Sequence, residues 1–256
     1  MLPRTEAIRY VTPLREGGSL PGIVEAADLG TYVMKFTGAG QGPRVLVAEV
    51  VVAALGRAIG LRVPDLAGLW LDREIARYES DQEVQELLTA SVGLNLGVDF
   101  LPRAFGFDAH GEVDEQEAAT IIWLDALVAN VDRTWRNPNL LVWHDRLWCI
   151  DHGAALYFHH GWPNGTGSPE RFARQPYDAS EHVLGRFASA VPRVDSRLAA
   201  LVTEEVLESA ASDVPDEWLA PVPGAETPQR QRTRYVEYLG ARLAERSAWL
   251  PGGGIR

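Results

Sequence analysis

The residues from Val128 to Gly153, VANVDRTWRNPNLLVWHDRLWCIDHG, constrain the fold of this chain more than any other stretch. Two apolar runs, Leu140 to Trp143 and Leu147 to Ile150, flank the polar triplet His144-Asp145-Arg146, and this pattern reads as a β-hairpin. Pairing about that triplet predicts Val142 opposite Trp148 and Asn139 opposite Asp151. Asn137 and Asp151 then become neighbours at the open end, with Asp132 just before it on a loop leaving a helix. Singly, Asp and Asn are turn formers and helix caps. Together, two carboxylates and a carboxamide make an oxygen-rich group, the ligand type that hard cations such as Mg²⁺ take with phosphate oxygens.

Composition narrows the context. A chain of 256 residues holds one large domain or two closely packed lobes. No apolar run is long enough to span a bilayer, so no membrane association is expected. Arg4 and Glu6 interrupt any signal-peptide pattern at the start. Cys149 is the only cysteine, which excludes an internal disulfide and a cysteine-rich zinc site and fits a reducing cytoplasm. The net charge of −11 argues against direct nucleic-acid binding, because phosphates would be repelled. An acidic chain that binds a nucleotide must build a local positive site.

The N-terminal third supplies candidates for one. Ala7 to Leu14, Ile23 to Ala27 and Thr31 to Phe36 read as strands, with Gly17, Gly18 and Ser19 in the first connection. Glycines there let backbone N–H groups approach a phosphate closely. Lys35, on the third strand, is the only lysine of the sequence; every other cation of that kind is arginine. A compact ammonium fits between phosphate oxygens where a planar guanidinium does not. Arg44 to Gly60 reads as a helix, and its only acid, Glu49, sits among Val47, Val50, Val51 and Val52. A carboxylate in such surroundings is expected to be partly buried and to need a partner, for which Lys35 is the candidate.

Farther on, Ala67 to Leu71 reads as a fourth strand and Asp81 to Ala90 as a helix capped by Ser80 or Asp81. The run from Gly93 to Pro102 is expected to be a strand and connector, with Val98 to Leu101, including Phe100, offering backbone groups to an adenine. Glu115 to Val131 has the spacing of a helix with a strongly apolar face and delivers Asn130 and Asp132 to the following loop. Beyond Gly153 a long loop with aromatic anchors is expected. Three helices follow, over Glu181 to Ala188, Asp195 to Ser212 and Gln229 to Trp249. His144, His152, His159 and His160 raise a metal-dependent hydrolase as a competing reading, although His144 sits at the hairpin tip, a strand's length from Asp151.

Asn130-Val131-Asp132-Arg133 followed by Asn137, and then Ile150-Asp151, resembles the catalytic and metal motifs of HipA-like kinases, distant relatives of the phosphatidylinositol-kinase and protein-kinase folds. The segments GGSLPGIVEA, TYVMKF and GQGPRVLVAEVVVAALGRAIGLRVP resemble the small-lobe blocks of the compact actinobacterial type of that family, so the likeness covers roughly residues 8 to 160. It implies an α+β, two-lobed, protein-kinase-like fold. The β-rich N-lobe would be residues 1–101 and the mostly helical C-lobe residues 102–256. It implies ATP and Mg²⁺ as cofactors. Asp132 would be the base that orients or deprotonates the acceptor hydroxyl, and Asn137 and Asp151 would hold Mg²⁺. Lys35 paired with Glu49 would bind the α- and β-phosphates, beneath a loop of Gly17, Gly18 and Ser19. HipA toxins are serine/threonine kinases that are regulated through a serine of the phosphate loop, and Ser19 lies in a comparable place. His152-Gly153 stands where protein kinases have Phe-Gly, and the chain is much shorter than a full HipA toxin. The expected acceptor is a protein Ser/Thr hydroxyl, then a small molecule; the alternatives are an inactive nucleotide-binding regulatory module and the hydrolase.

Overall fold

The computed structural model describes residues 2–15, 20–77 and 79–252. The chain divides into two compact units, Met1–Val47 with Pro64–Pro102, and Ala48–Val63 with Arg103–Arg256.

Five strands build the first unit: β1 (Arg4–Pro13), β2 (Gly22–Ala26), β3 (Thr31–Lys35), β4 (Leu66–Leu71) and β5 (Gly93–Asp99). They close into a barrel in the order β1-β2-β3-β5-β4, with β1 meeting β4 in parallel and every other pair antiparallel. Strand β2 alternates strictly between buried and half-buried residues, the period-two pattern of a sheet with one face inward. Val24, Ala26, Met34, Leu69 and Leu71 fill the interior together with Val84 and Leu88. Gly97 is needed for close approach, since a Cβ there would lie 2.7 Å from the side chain of Leu69. The β2–β3 turn is tied by Asp28, which accepts from Gly30 N at 2.9 Å and from the Tyr32 hydroxyl at 2.8 Å. Between β3 and β5 in sequence lie α1 (Pro43–Ala58), which begins in this unit and continues into the other, α2 (Arg73–Arg77) and α3 (Gln82–Ala90). Asp81 is the N-cap of α3, accepting from the backbone N–H groups of Glu83 and Val84. The short α2 had no signal in the sequence reading; five residues carry too little periodicity.

The second unit is organised around α4 (Glu115–Val128), in which every residue from Ala118 to Val128 is buried. A helix enclosed on all sides reads as apolar all round. Asp114 caps its start, and Ala129, at φ 52°, ends it three residues before the expected Val131. A three-stranded sheet follows, β6 (Phe105–Gly106), β7 (Leu140–Trp143) and β8 (Arg146–Cys149). Its register corrects the expectation from sequence: Val142 faces Leu147 and Leu141 faces Trp148. Asn139 therefore meets Ile150, whose N–H donates to the Asn139 carbonyl at 3.1 Å, and not Asp151. The cause is the turn, which has two residues rather than three. His144 and Asp145 both have positive φ, 47° and 57°, the backbone of a two-residue turn that matches the strand twist.

The expected loop beyond Gly153 contains a 3₁₀ helix, Tyr157–Asn164, and α5 (Glu170–Arg174). Aromatic packing sets these turns: the Phe158 ring stacks on Tyr238 at 4.3 Å and meets Phe172 edge-on at 4.5 Å. The C-terminal helices are α6 (Val191–Leu201), α7 (Glu204–Ser212), α8 (Pro228–Ala244) and α9 (Arg246–Trp249). The single helix expected over Asp195 to Ser212 is thus two, because Thr203 caps α7 by accepting from Val206 N. Arg242, fully buried on α8, donates to the Ala126 carbonyl of α4 from Nε at 3.0 Å and from Nη2 at 2.6 Å. Burial pushes its guanidinium down to about 10.

Candidate functional site

In the first unit Lys35 is the last residue of β3, facing Leu96 of β5, and is half-buried. The chain leaving it is pinned by the buried Asn95, whose Oδ1 accepts from Thr37 N at 2.9 Å while its Nδ2 donates to Ser91 O at 2.7 Å. Ser91 Oγ in turn accepts from Gly38 N at 3.1 Å. Strand β3 and the turn after it are therefore fixed on both sides of the lysine. Val98 lies within the barrel, flanked by Val33 and Leu66. The Phe100 N–H donates to Thr31 O at 3.0 Å, so it serves the barrel. Gly17, Gly18 and Ser19 lie outside the described residues.

Glu49 is buried, 2% exposed, as its apolar neighbours on α1 imply. The other candidates of the second unit follow the end of α4 in sequence. The left-handed Ala129 breaks the helix, Asn130 N closes back on Asp125 O at 2.8 Å, and the chain enters the loop that carries Asp132. Asn130 Oδ1 accepts from Asp132 N at 3.1 Å, and the Tyr177 hydroxyl donates to Asn130 O at 2.8 Å. Asp132 Oδ2 accepts from Asn137 Nδ2 at 2.8 Å and from Asn139 Nδ2 at 3.1 Å. The structure thus brings Asp132 and Asn137 together across the loop. It adds Asn139, which sequence reasoning treated only as a hairpin residue. Asp151 follows β8 at φ 54°, left-handed backbone that a residue with a Cβ adopts at a cost, and its side chain is exposed.

Beneath this loop is a charged cluster that the sequence reading missed. The Asp125 carboxylate, wholly buried, accepts from Arg133 Nε at 2.6 Å, His182 Nε2 at 3.0 Å and Asn130 Nδ2 at 2.8 Å. The His182 tautomer follows from its other nitrogen, which accepts from Leu184 N at 3.0 Å; the ring is neutral and carries its proton on Nε2. Arg133 Nη1 donates to the carbonyls of Asn139 and Ile150, and its Nη2 to His152 Nδ1 at 3.2 Å. Burial works against both charges. The Arg133 charge and the His182 bond still hold the Asp125 carboxyl below the usual carboxylate range, and Asp125 holds the guanidinium above its ordinary value. The available signal was an acid on an otherwise apolar helix, the same signal that singled out Glu49.

The chemistry of Asp132, Asn137 and Asp151 suits a hard divalent cation, because all their donor atoms are oxygens. Asn137 uses its amide nitrogen on Asp132, which leaves its Oδ1 for a ligand. The histidines do not assemble a metal site. His144 packs on Trp143 at the hairpin tip, His152 accepts from Arg133, and His159 is buried with Nδ1 3.0 Å from the Tyr235 hydroxyl. Among the described residues no group of three or more His, Cys, Asp or Glu has a metal-holding arrangement.

This architecture is the two-lobed, α+β, protein-kinase-like fold. It matches the crystal structure of the Helicobacter pylori proinflammatory kinase CtkA with a TM-score of 0.54, over 94% of this chain and 99% of that one, at 12% identity. Two structures of the Golgi casein kinase, one with Mn/ADP bound, align with TM-scores of 0.44 and 0.42 at 14% and 13% identity, over 97% and 96% of this chain and 73% and 74% of theirs. The sequence profile of the HipA-like kinases matches residues 8–250, and the chain belongs to that family. Comparison with curated proteins gives no match.

Proposed function

We propose that this chain is an ATP- and Mg²⁺-dependent phosphotransferase whose acceptor is a protein serine or threonine hydroxyl, with a small molecule as the second choice. The observation that carries the reading is the state of Asp132. Two carboxamides hold its Oδ2, while its Oδ1 has no partner among the described residues, on a half-buried side chain. A carboxylate fixed at one oxygen and open at the other is suited to orient an acceptor hydroxyl and take its proton. Membership of a kinase family supports the same assignment.

The remaining roles follow the family motifs. Asn137 and Asp151 hold the metal ion. Lys35 and Glu49 serve the α- and β-phosphates, and Gly17, Gly18 and Ser19 cover them. Val98 and Phe100 lie on the adenine side. Residues 1–101 form the nucleotide-binding lobe and residues 102–256 the catalytic lobe. Asn137 and Asp151 would hold the Mg²⁺, which when bound would supply charge neutralisation on the phosphates. The chain's own part is positioning, which in phosphoryl transfer is most of what a protein supplies. No helix described is long and apolar enough to cross a membrane.

Calorimetric titration of Mg²⁺–ATP into wild type, Lys35→Ala and Asp151→Asn tests the nucleotide site. Mg²⁺-dependent binding that both substitutions weaken severely is the expected result, and binding indifferent to Lys35 sinks the assignment. Turnover of wild type against Asp132→Asn then separates a working kinase from a module that only binds nucleotide.

A further inference from the structure

Asp125 has no role in the family motifs, yet its carboxylate is where the supports of both essential acids meet. Through Asn130, which donates to Asp125 at 2.8 Å and accepts from Asp132 N at 3.1 Å, it fixes the backbone of the proposed base. Through Arg133, bound at 2.6 Å, it fixes a guanidinium that grips the residues on either side of Asp151: the Ile150 carbonyl at 3.3 Å and His152 Nδ1 at 3.2 Å. The same guanidinium holds the carbonyl of Asn139, whose side chain donates to Asp132 Oδ2 at 3.1 Å. The base and the metal-binding acid thus share one buried support reached by separate hydrogen-bonded paths. His182 closes the cluster from another segment and, as a neutral donor, leaves the Asp125 charge for Arg133.

The geometry points to Asp125 as a positioning residue, with Arg133 as its arm, that couples the placement of Asp132 to that of Asp151; this rests on the phosphotransferase reading. Its physical basis is that a fully buried charge pair tolerates one geometry, since any departure leaves a desolvated charge uncompensated. A fork of guanidinium nitrogens can serve the Asp125 carboxylate, two carbonyls and an imidazole at once, which a lysine cannot.

The test compares wild type with Asp125→Asn, Arg133→Lys and the double variant Asp125→Asn/Arg133→Met, in the full chain. Three quantities are read: the thermal midpoint, Mg²⁺-dependent ADP release from ATP with a Ser/Thr peptide library, and Mn²⁺ binding with ADP by electron paramagnetic resonance. Asp125→Asn is expected to lower kcat about 100-fold, the scale of an ångström-sized misplacement, with KM for ATP near wild type. Mn²⁺ affinity should fall about 10- to 100-fold, as for other groups that orient metal ligands. Arg133→Lys, which keeps the charge and loses the fork, should share the Mn²⁺ defect. The double variant removes both buried charges, so its midpoint should recover relative to Asp125→Asn while kcat stays low. A double variant in which turnover and Mn²⁺ affinity recover together with the midpoint overturns the inference, because a purely structural pair would behave that way. Wild-type kinetics in a folded Asp125→Asn protein overturn it equally. A wild-type protein that neither binds Mn²⁺–ADP nor turns over ATP instead removes the phosphotransferase reading on which it stands.

Discussion

Asp151 combines an exposed carboxylate with a left-handed backbone, φ 54°, and the two properties predict opposite effects of one substitution. Replacing it by alanine removes the carboxylate and keeps the strain; replacing it by glycine removes both. Whatever contacts the carboxylate makes are lost in each variant, so their difference isolates the backbone term. A Cβ in this region costs roughly 1–2 kcal/mol, and glycine's freer unfolded chain takes back about 0.4–1 kcal/mol. Asp151→Gly should therefore be more stable than Asp151→Ala by about 0.5–1 kcal/mol, a gain of about 1–4 °C in thermal midpoint for a chain of this size. Both variants should lose metal-dependent ATP turnover, so the stability difference between them is independent of the activity they share in losing. Paired thermal melts and an ADP-release assay decide it. If alanine proves as stable as glycine, residue 151 is not left-handed in solution and the backbone assigned to it is wrong.

Three further outcomes are expected. Asp145→Gly, at φ 57° in the β7–β8 turn, should raise the thermal midpoint by a few degrees through about 1 kcal/mol of relieved strain; a lowered midpoint refutes the two-residue turn and its register. Burial pushes the Cys149 thiol up to about 12, so a disulfide reagent at pH 8 should leave native protein unlabelled and react only at the rate of unfolding. Rapid stoichiometric labelling contradicts the packing around β8. Asp99, on β5, has its carboxyl held above the ordinary value of 3.8 by burial and then by Asp65 and Asp28. With the folded-state value raised, its favourable contribution exists below that ordinary value and is lost as pH rises through the folded one. Asp99→Asn should therefore raise the midpoint at pH 7 and leave it unchanged near pH 3, and a gain confined to acid reverses the argument.

Much of the barrel and of α4 was legible because their signals are local. Strand β2 alternates, β7 and β8 are short apolar runs around a polar turn, and Glu115 to Val131 has the spacing of a helix with a strongly apolar face, although its burial on all sides shows only in the structure. Asn137 was expected as the neighbour of Asp151, and its bond to Asp132 Oδ2 is a finding of the structure. The hairpin register was not legible, because His144 and Asp145 adopt positive φ without the glycine that would announce it, and one residue of error moves Ile150 rather than Asp151 opposite Asn139. Asp125 was invisible as a support because its meaning depends on Arg133 and on His182, far along the chain. The turns over Tyr157–Asn164 were hidden likewise: rings of Tyr235 and Tyr238 organise them from α8.

The closure of the barrel carries a consequence for how the chain is made. Strand β1, the first of the five in sequence, takes β4 as its second neighbour, with Arg4, Thr5 and Glu6 facing Gly68, Leu69 and Trp70. Strand β5, the last of the five in sequence, is the one inserted between β3 and β4. On the ribosome, the hairpin of β1 and β2 and its extension into β3 can form early, because each pairing spans a short loop. The ring itself must wait until Asp99 has emerged, and up to that moment β3 and β4 each present an unpaired edge. Contacts so distant in sequence make closure the slow step of this unit, so a stall or truncation between Leu71 and Gly93 leaves a nascent chain whose open strands are free to join those of another copy.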